Sequence, residues 1–126
     1  MRYLSDDDVT ALGVDWPTAV GVIERATAAL QARTFAQPLK TYLRYGDPTT
    51  RIIAMPAWVG DGIDIAGVKW VASFPANRDR GLPRAHSVII LNDPTTGRPT
   101  AILNAPALNA VRTAAVSGFL LERYVA

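Results

Sequence analysis

The side chains in this sequence that could do chemistry are almost all cations. Lys69 stands inside AGVKWVASF, a segment otherwise almost wholly apolar. A buried ammonium there requires an anionic partner or a depressed pKa, whereas on an exposed sheet edge a lysine only blunts aggregation. Arg112, followed by Thr113, falls in the first two turns of the last helical segment. A guanidinium and a hydroxyl beside free backbone amides suit a carboxylate or phosphate; on an outward face the same arginine is a solvated charge. Lys40 and Arg44 lie four apart in KTYLR, on one side of an extended strand, and make either a two-point clamp for an acidic substrate or two solvated charges. Arg78, Arg80 and Arg84 cluster in NRDRGLPR, which reads as a solvated loop or as an anion-binding lid.

Other chemistries are poorly supplied. The chain has no cysteine, so thiolate nucleophiles, disulfides and thiolate metal sites are excluded, and the single histidine, His86, argues against a histidine-based metal centre. His86 opens an apolar strand after the arginine-rich stretch and serves either as an acid/base group or as a satisfied imidazole. Gly60, Gly62 and Gly67 match neither the spacing nor the strand-to-helix position of a dinucleotide phosphate loop. A net charge of +2 is too mild for a nucleic-acid binder. Three aspartates follow Ser5 where a secretory signal needs an apolar stretch, and no apolar run approaches the roughly 18 residues of a membrane span. A soluble cytoplasmic protein, with neither nucleic acid nor membrane as partner, is expected.

The elements that must position these residues follow from period and punctuation. Ser5 with Asp6, Asp7 and Asp8 starts a helix that Gly13 ends, and a longer helix follows Asp15, with Pro17 in its first turn and Trp16, Val20, Ile23, Thr27 and Leu30 as its core stripe. KTYLRYG, RIIAMPAWVG, AGVKWVASFP and AHSVIILND are short, rich in β-branched and aromatic residues, and divided by Gly-, Pro- and Asp-containing turns. DPTTGRP joins the last of these to PTAILN as a hairpin. After Asn104 the period is helical again, with Leu108, Val111, Ala115 and Gly118 on one stripe. The order predicts one α+β domain over residues 1–126, a mixed, largely antiparallel sheet with flanking helices, and 49% apolar residues suffice for a single core.

MPA-x-x-G, GVKW-x-x-SFP-x-N, GLPR, LND-x-x-TG and RTAA occur here in the order in which they occur in the ornithine cyclodeaminase/mu-crystallin superfamily, which residues 38–126 resemble. QPLKTYLRYGDPTTRIIAMPAWVG and PRAHSVIILND look closer to the branch that makes 2,3-diaminopropionate for siderophores and peptide antibiotics. The resemblance implies the substrate-binding and dimerisation half of an NAD-dependent enzyme that oxidises an amine carbon to an imine. In this branch, of which the N-(2-amino-2-carboxyethyl)-L-glutamate dehydrogenase of staphyloferrin B synthesis is the type, water then releases 2-oxoglutarate and diaminopropionate. In cyclodeaminases the imine loses ammonia and the substrate closes a ring. Lys69 and Arg112 match the family's contacts to the substrate carboxylate, Lys40 stands where many members have an arginine, and Arg84 and Thr113 correspond to the nicotinamide end of the cofactor pocket.

The family's Rossmann domain, with its Gly-rich loop and an acidic residue that engages the substrate amine, has no counterpart in these residues and is expected to be missing or separately encoded. Residues 105–126 form the helix that would lead into it. The expectation is therefore an N-terminal half that binds a small acidic amino acid, forms a homodimer through its sheet, holds no NAD tightly and turns nothing over alone. Two rivals stand beside it: a fragment of an ornithine cyclodeaminase-like enzyme, and a non-catalytic amino-acid-binding or dimerisation module.

Overall fold

The computed structural model describes residues 1–125. A short strand, β1 (Arg2–Leu4), precedes α1 (Asp6–Ala11). The Ser5 hydroxyl accepts the Asp8 amide while the Asp8 carboxylate accepts the Ser5 amide at 2.8 Å, so two free donors of the helix start are satisfied reciprocally. Gly13, at φ 68°, closes the first helix as expected, and α2 (Trp16–Ala32) begins with Asp15 at its N-cap and Pro17 in its first turn.

The strands are β2 (Phe35–Ala36), β3 (Thr41–Leu43), β4 (Arg51–Val59), β5 (Ile65–Ser73), β6 (Ala85–Asn92) and β7 (Pro99–Asn104); α3 (Pro106–Tyr124) follows. They form one sheet in the order β1-β7-β6-β5-β4-β2, with β3 also on β4, antiparallel throughout except for β1 beside β7. The α+β architecture with a largely antiparallel sheet is the expected one. The expectation did not contain β1 or β2, each too short to show a period, and KTYLRYG shrinks to three strand residues. Pro75–Arg80, which runs from the end of the expected strand AGVKWVASFP into the arginine-rich loop, winds into a 3₁₀ turn.

The helices gather on one face. α2 and α3 pack on each other, closely enough that a Cβ at Gly118 would lie 3.1 Å from Val20, and α1 packs against α3. Beneath them lie the side chains in register with Lys69, namely Met55 on β4, Ile89 on β6 and Leu103 on β7. The alternate side chains, among them Ala54, Trp58, Val68, Trp70, Val88 and Ile90, form the other face, on which no described helix packs.

Two expectations are corrected. Instead of one well-filled core, among the described residues only Val9, Ala29, Ala105 and Ala115 are buried apolar residues, and no large side chain is fully buried. The expected stripe of α2 also fails at its ends: Trp16 is 49% exposed and Leu30 54% exposed. The accessible surface is 8780 Å², against about 6600 Å² for a compact monomer of this mass.

Candidate functional site

The edge of the sheet is where the site is made. Phe35 and Ala36 pair with Val59 and Trp58, and Thr41 to Leu43 pair with Ala54 to Ile52. Residues 37–40 therefore stand opposite 55–57, one residue in excess, at the point where Pro38 and Pro56 lack the amides a ladder would use. On an uninterrupted strand Gln37 and Lys40, three apart, would point to opposite faces. The extra residue lets both point to the helix-bearing face.

There Gln37, Lys40, Met55, Lys69 and Arg112 line one open depression of about 440 Å³. Lys69 comes from β5, which has neighbours on both sides, so the sheet-edge reading of this lysine falls. Its Nζ donates to the Asn109 Oδ1 at 3.0 Å. Asn109 sits three residues before Arg112 on α3, and that spacing brings the amide and the guanidinium to the same side of the helix. Partial burial, the Arg112 guanidinium and the Lys40 ammonium together hold the Lys69 pKa below the ordinary lysine value, burial contributing most. Among the described residues no carboxylate lines the depression. The arrangement is a concentration of unneutralised positive charge, suited to a ligand with more than one carboxylate.

The structure therefore brings Lys40, Lys69 and Arg112 together, and it separates the other candidates from them. Arg44 lies beyond the end of β3, its guanidinium 5.3 Å from the Tyr42 ring centroid and 3.5 Å from the Pro48 carbonyl oxygen, so the Lys40–Arg44 clamp does not form. Arg84 is exposed just before β6, about 17 Å along the strand from the level of Lys69. Its carbonyl accepts the Phe74 amide. The Thr113 hydroxyl donates to the Asn109 carbonyl at 2.8 Å, so its proton is committed to its own helix. Arg78 and Arg80 are exposed in the 3₁₀ turn, and His86 is exposed on the bare side of the sheet. Sequence reasoning missed Gln37, Met55 and Asn109; only Asn109 carried a usable signal, its three-residue spacing from Arg112.

The glycines do not form a nucleotide cradle. A Cβ on Gly67 would meet the Ile90 carbonyl oxygen at 2.4 Å, Gly62 turns between β4 and β5 at φ 81°, and neither Gly60 nor these two opens a helix. Among the described residues no group of three metal-binding side chains occurs, and no helix is long and apolar enough to cross a membrane.

The sequence profile of the ornithine cyclodeaminase/mu-crystallin family matches residues 6–126. The chain belongs to that family. Over 123 residues it is 41% identical to the N-((2S)-2-amino-2-carboxyethyl)-L-glutamate dehydrogenase of Staphylococcus aureus, a match covering 93% of this chain and 37% of the relative. The fold of this family domain is similar to that of the Thermococcus litoralis Delta(1)-pyrroline-2-carboxylate reductase in complex with NADH and L-proline (TM-score 0.88, 31% identity, 96% of this chain and 37% of that one). It is also similar to that of an archaeal alanine dehydrogenase dimer with bound NAD (TM-score 0.87, 32% identity, 96% and 36%). The chain thus spans about a third of the length of these relatives.

Proposed function

We propose that this family domain is the N-terminal, substrate-binding and dimer-forming part of an NAD-dependent oxidoreductase that cleaves N-(2-amino-2-carboxyethyl)-L-glutamate oxidatively to 2-oxoglutarate and 2,3-diaminopropionate. The observation that carries this reading is the convergence of Lys40, Lys69 and Arg112, with no lining carboxylate among the described residues, in a chain 41% identical to a dehydrogenase of that substrate. A substrate with three carboxylates matches such a pocket by charge. Arg112 offers a planar fork for one carboxylate, while Lys69 and Lys40 act as point charges that tolerate several orientations.

The described residues supply no cradle for the nucleotide's phosphates, since no glycine-rich helix start is present among them. NAD supplies the hydride acceptor in this chemistry, and on this reading a Rossmann domain outside these residues holds it. Arg84 and Thr113 keep the role of contacts near the nicotinamide end. The share of each chain contributed here is to hold and orient the acidic substrate, and to pair with a second copy through the bare sheet face, whose Trp70 is 47% exposed. The excess of surface over that of a compact monomer supports the pairing.

The geometry disfavours an ornithine-type substrate, which brings one carboxylate with its two amines to a pocket rich in cations, where N-(2-amino-2-carboxyethyl)-L-glutamate brings three carboxylates with its two. Calorimetric titration with N-(2-amino-2-carboxyethyl)-L-glutamate and with ornithine separates the two. The expected result is binding of the first alone, abolished by Lys69→Met and by Arg112→Met. Equal or tighter binding of ornithine would overturn the reading.

A further inference from the structure

The chemistry of the pocket is lopsided. Two ammonium groups and a guanidinium together present many N–H donors, while acceptors are scarce. The Asn109 side-chain oxygen already accepts from Lys69, and the Met55 thioether is a weak acceptor. The one uncharged side chain lining the depression that carries a strong acceptor is Gln37, and no described group hydrogen-bonds its amide. Its presence there is the consequence of the extra residue between β2 and β3. Without that irregularity Gln37 and Lys40 could not share a face.

A substrate that is both acidic and an amine presents two needs to this pocket. Its carboxylates find cations readily. Its bridging N–H is repelled by the same cations and, among the uncharged side chains that line the depression, finds one strong acceptor. Resting on the substrate-binding reading above, we propose that Gln37 is a specificity residue whose side-chain carbonyl oxygen accepts the N–H of the bridging amine of the substrate, so that the site distinguishes the substrate from an analogue of the same shape and carboxylate number that lacks the bridging N–H. Gln37 is exposed and belongs to neither flanking strand, so its substitution leaves the sheet register untouched.

The test compares two ligands by calorimetry: N-(2-amino-2-carboxyethyl)-L-glutamate, and its analogue with CH₂ in place of the bridging NH. In Gln37→Leu the affinity for the amine is expected to fall about tenfold, equivalent to about 1.4 kcal/mol, while that for the CH₂ analogue stays as in the unsubstituted protein. Gln37→Glu, which keeps an acceptor, is expected to restore the preference for the amine. Equal losses for both ligands in Gln37→Leu, or no loss for either, would overturn the assignment to Gln37 and leave the substrate-binding reading standing. If the unsubstituted protein binds neither ligand, that reading falls and the role of Gln37 with it.

Discussion

At Lys69 a charge is held where the protein disfavours it. Its folded-state pKa lies below the ordinary lysine value because the group is partly buried and faces Arg112 and Lys40. For a base with a lowered folded pKa, the unfolded chain binds the proton more tightly. Lys69 therefore costs stability throughout the range below its folded pKa, and the cost is relieved as pH rises through that pKa toward the ordinary lysine value. Lys69→Met is expected to raise the melting temperature at neutral pH, and its advantage over the unsubstituted protein should shrink between neutrality and about pH 10. Thermal unfolding of both proteins across that range checks this; an advantage that grows with pH contradicts it. The same titration acts on ligand binding with the opposite emphasis. An anion favours protonated Lys69, so affinity for a polycarboxylate should fall as pH rises through the Lys69 pKa, and should fall with added salt because the pocket is open to solvent.

The irregular edge between β2 and β3 is an element-level device, and its effect is separable from stability. Leu39, within it, is 95% exposed. Deleting Leu39 removes the extra residue, lets residues 37–40 run in regular register against β4, and turns Gln37 or Lys40 away from the pocket. The expected outcome is an unchanged far-ultraviolet circular dichroism spectrum with polycarboxylate affinity reduced at least tenfold. Full retention of affinity would show that the edge geometry does not position the site. Gly67 on β5 makes a contrasting case. A Cβ there meets the backbone carbonyl of Ile90 at 2.4 Å, and a backbone atom in a central pair of strands cannot swing aside. Gly67→Ala is expected to destabilise the fold by about 1–3 kcal/mol, measured by urea unfolding.

For the whole molecule, the sheet is covered on the helix side and bare on the other. Val88 and Trp70, 36% and 47% exposed, stand on that bare side. Pairing through this face predicts a species of about twice 13.6 kDa in sedimentation experiments at micromolar concentration. Trp70→Glu places a charge in the middle of the face and should give the monomer with its secondary structure intact. A Trp70→Glu protein that sediments like the unsubstituted one would mean that the copies associate elsewhere or not at all.

Local signals by themselves determined the helix starts at Ser5 and Asp15, the strands around RIIAMPAWV, AGVKWVAS and AHSVIILN, the β6–β7 hairpin, and the anomaly of a lysine in an apolar run. These depend on contacts within a few residues or on period, and so are written into the chain directly. Which face the helices cover was not legible: in β4 and β5 both faces are apolar, so the alternation that would mark one of them as solvent-facing is erased. The meeting of Lys40, Lys69 and Arg112 depended on sheet order and on the path of α3 across it. The place of Gln37 depended on one extra residue in an edge strand, since a shift of one residue exchanges the two faces of a strand and leaves its composition unchanged.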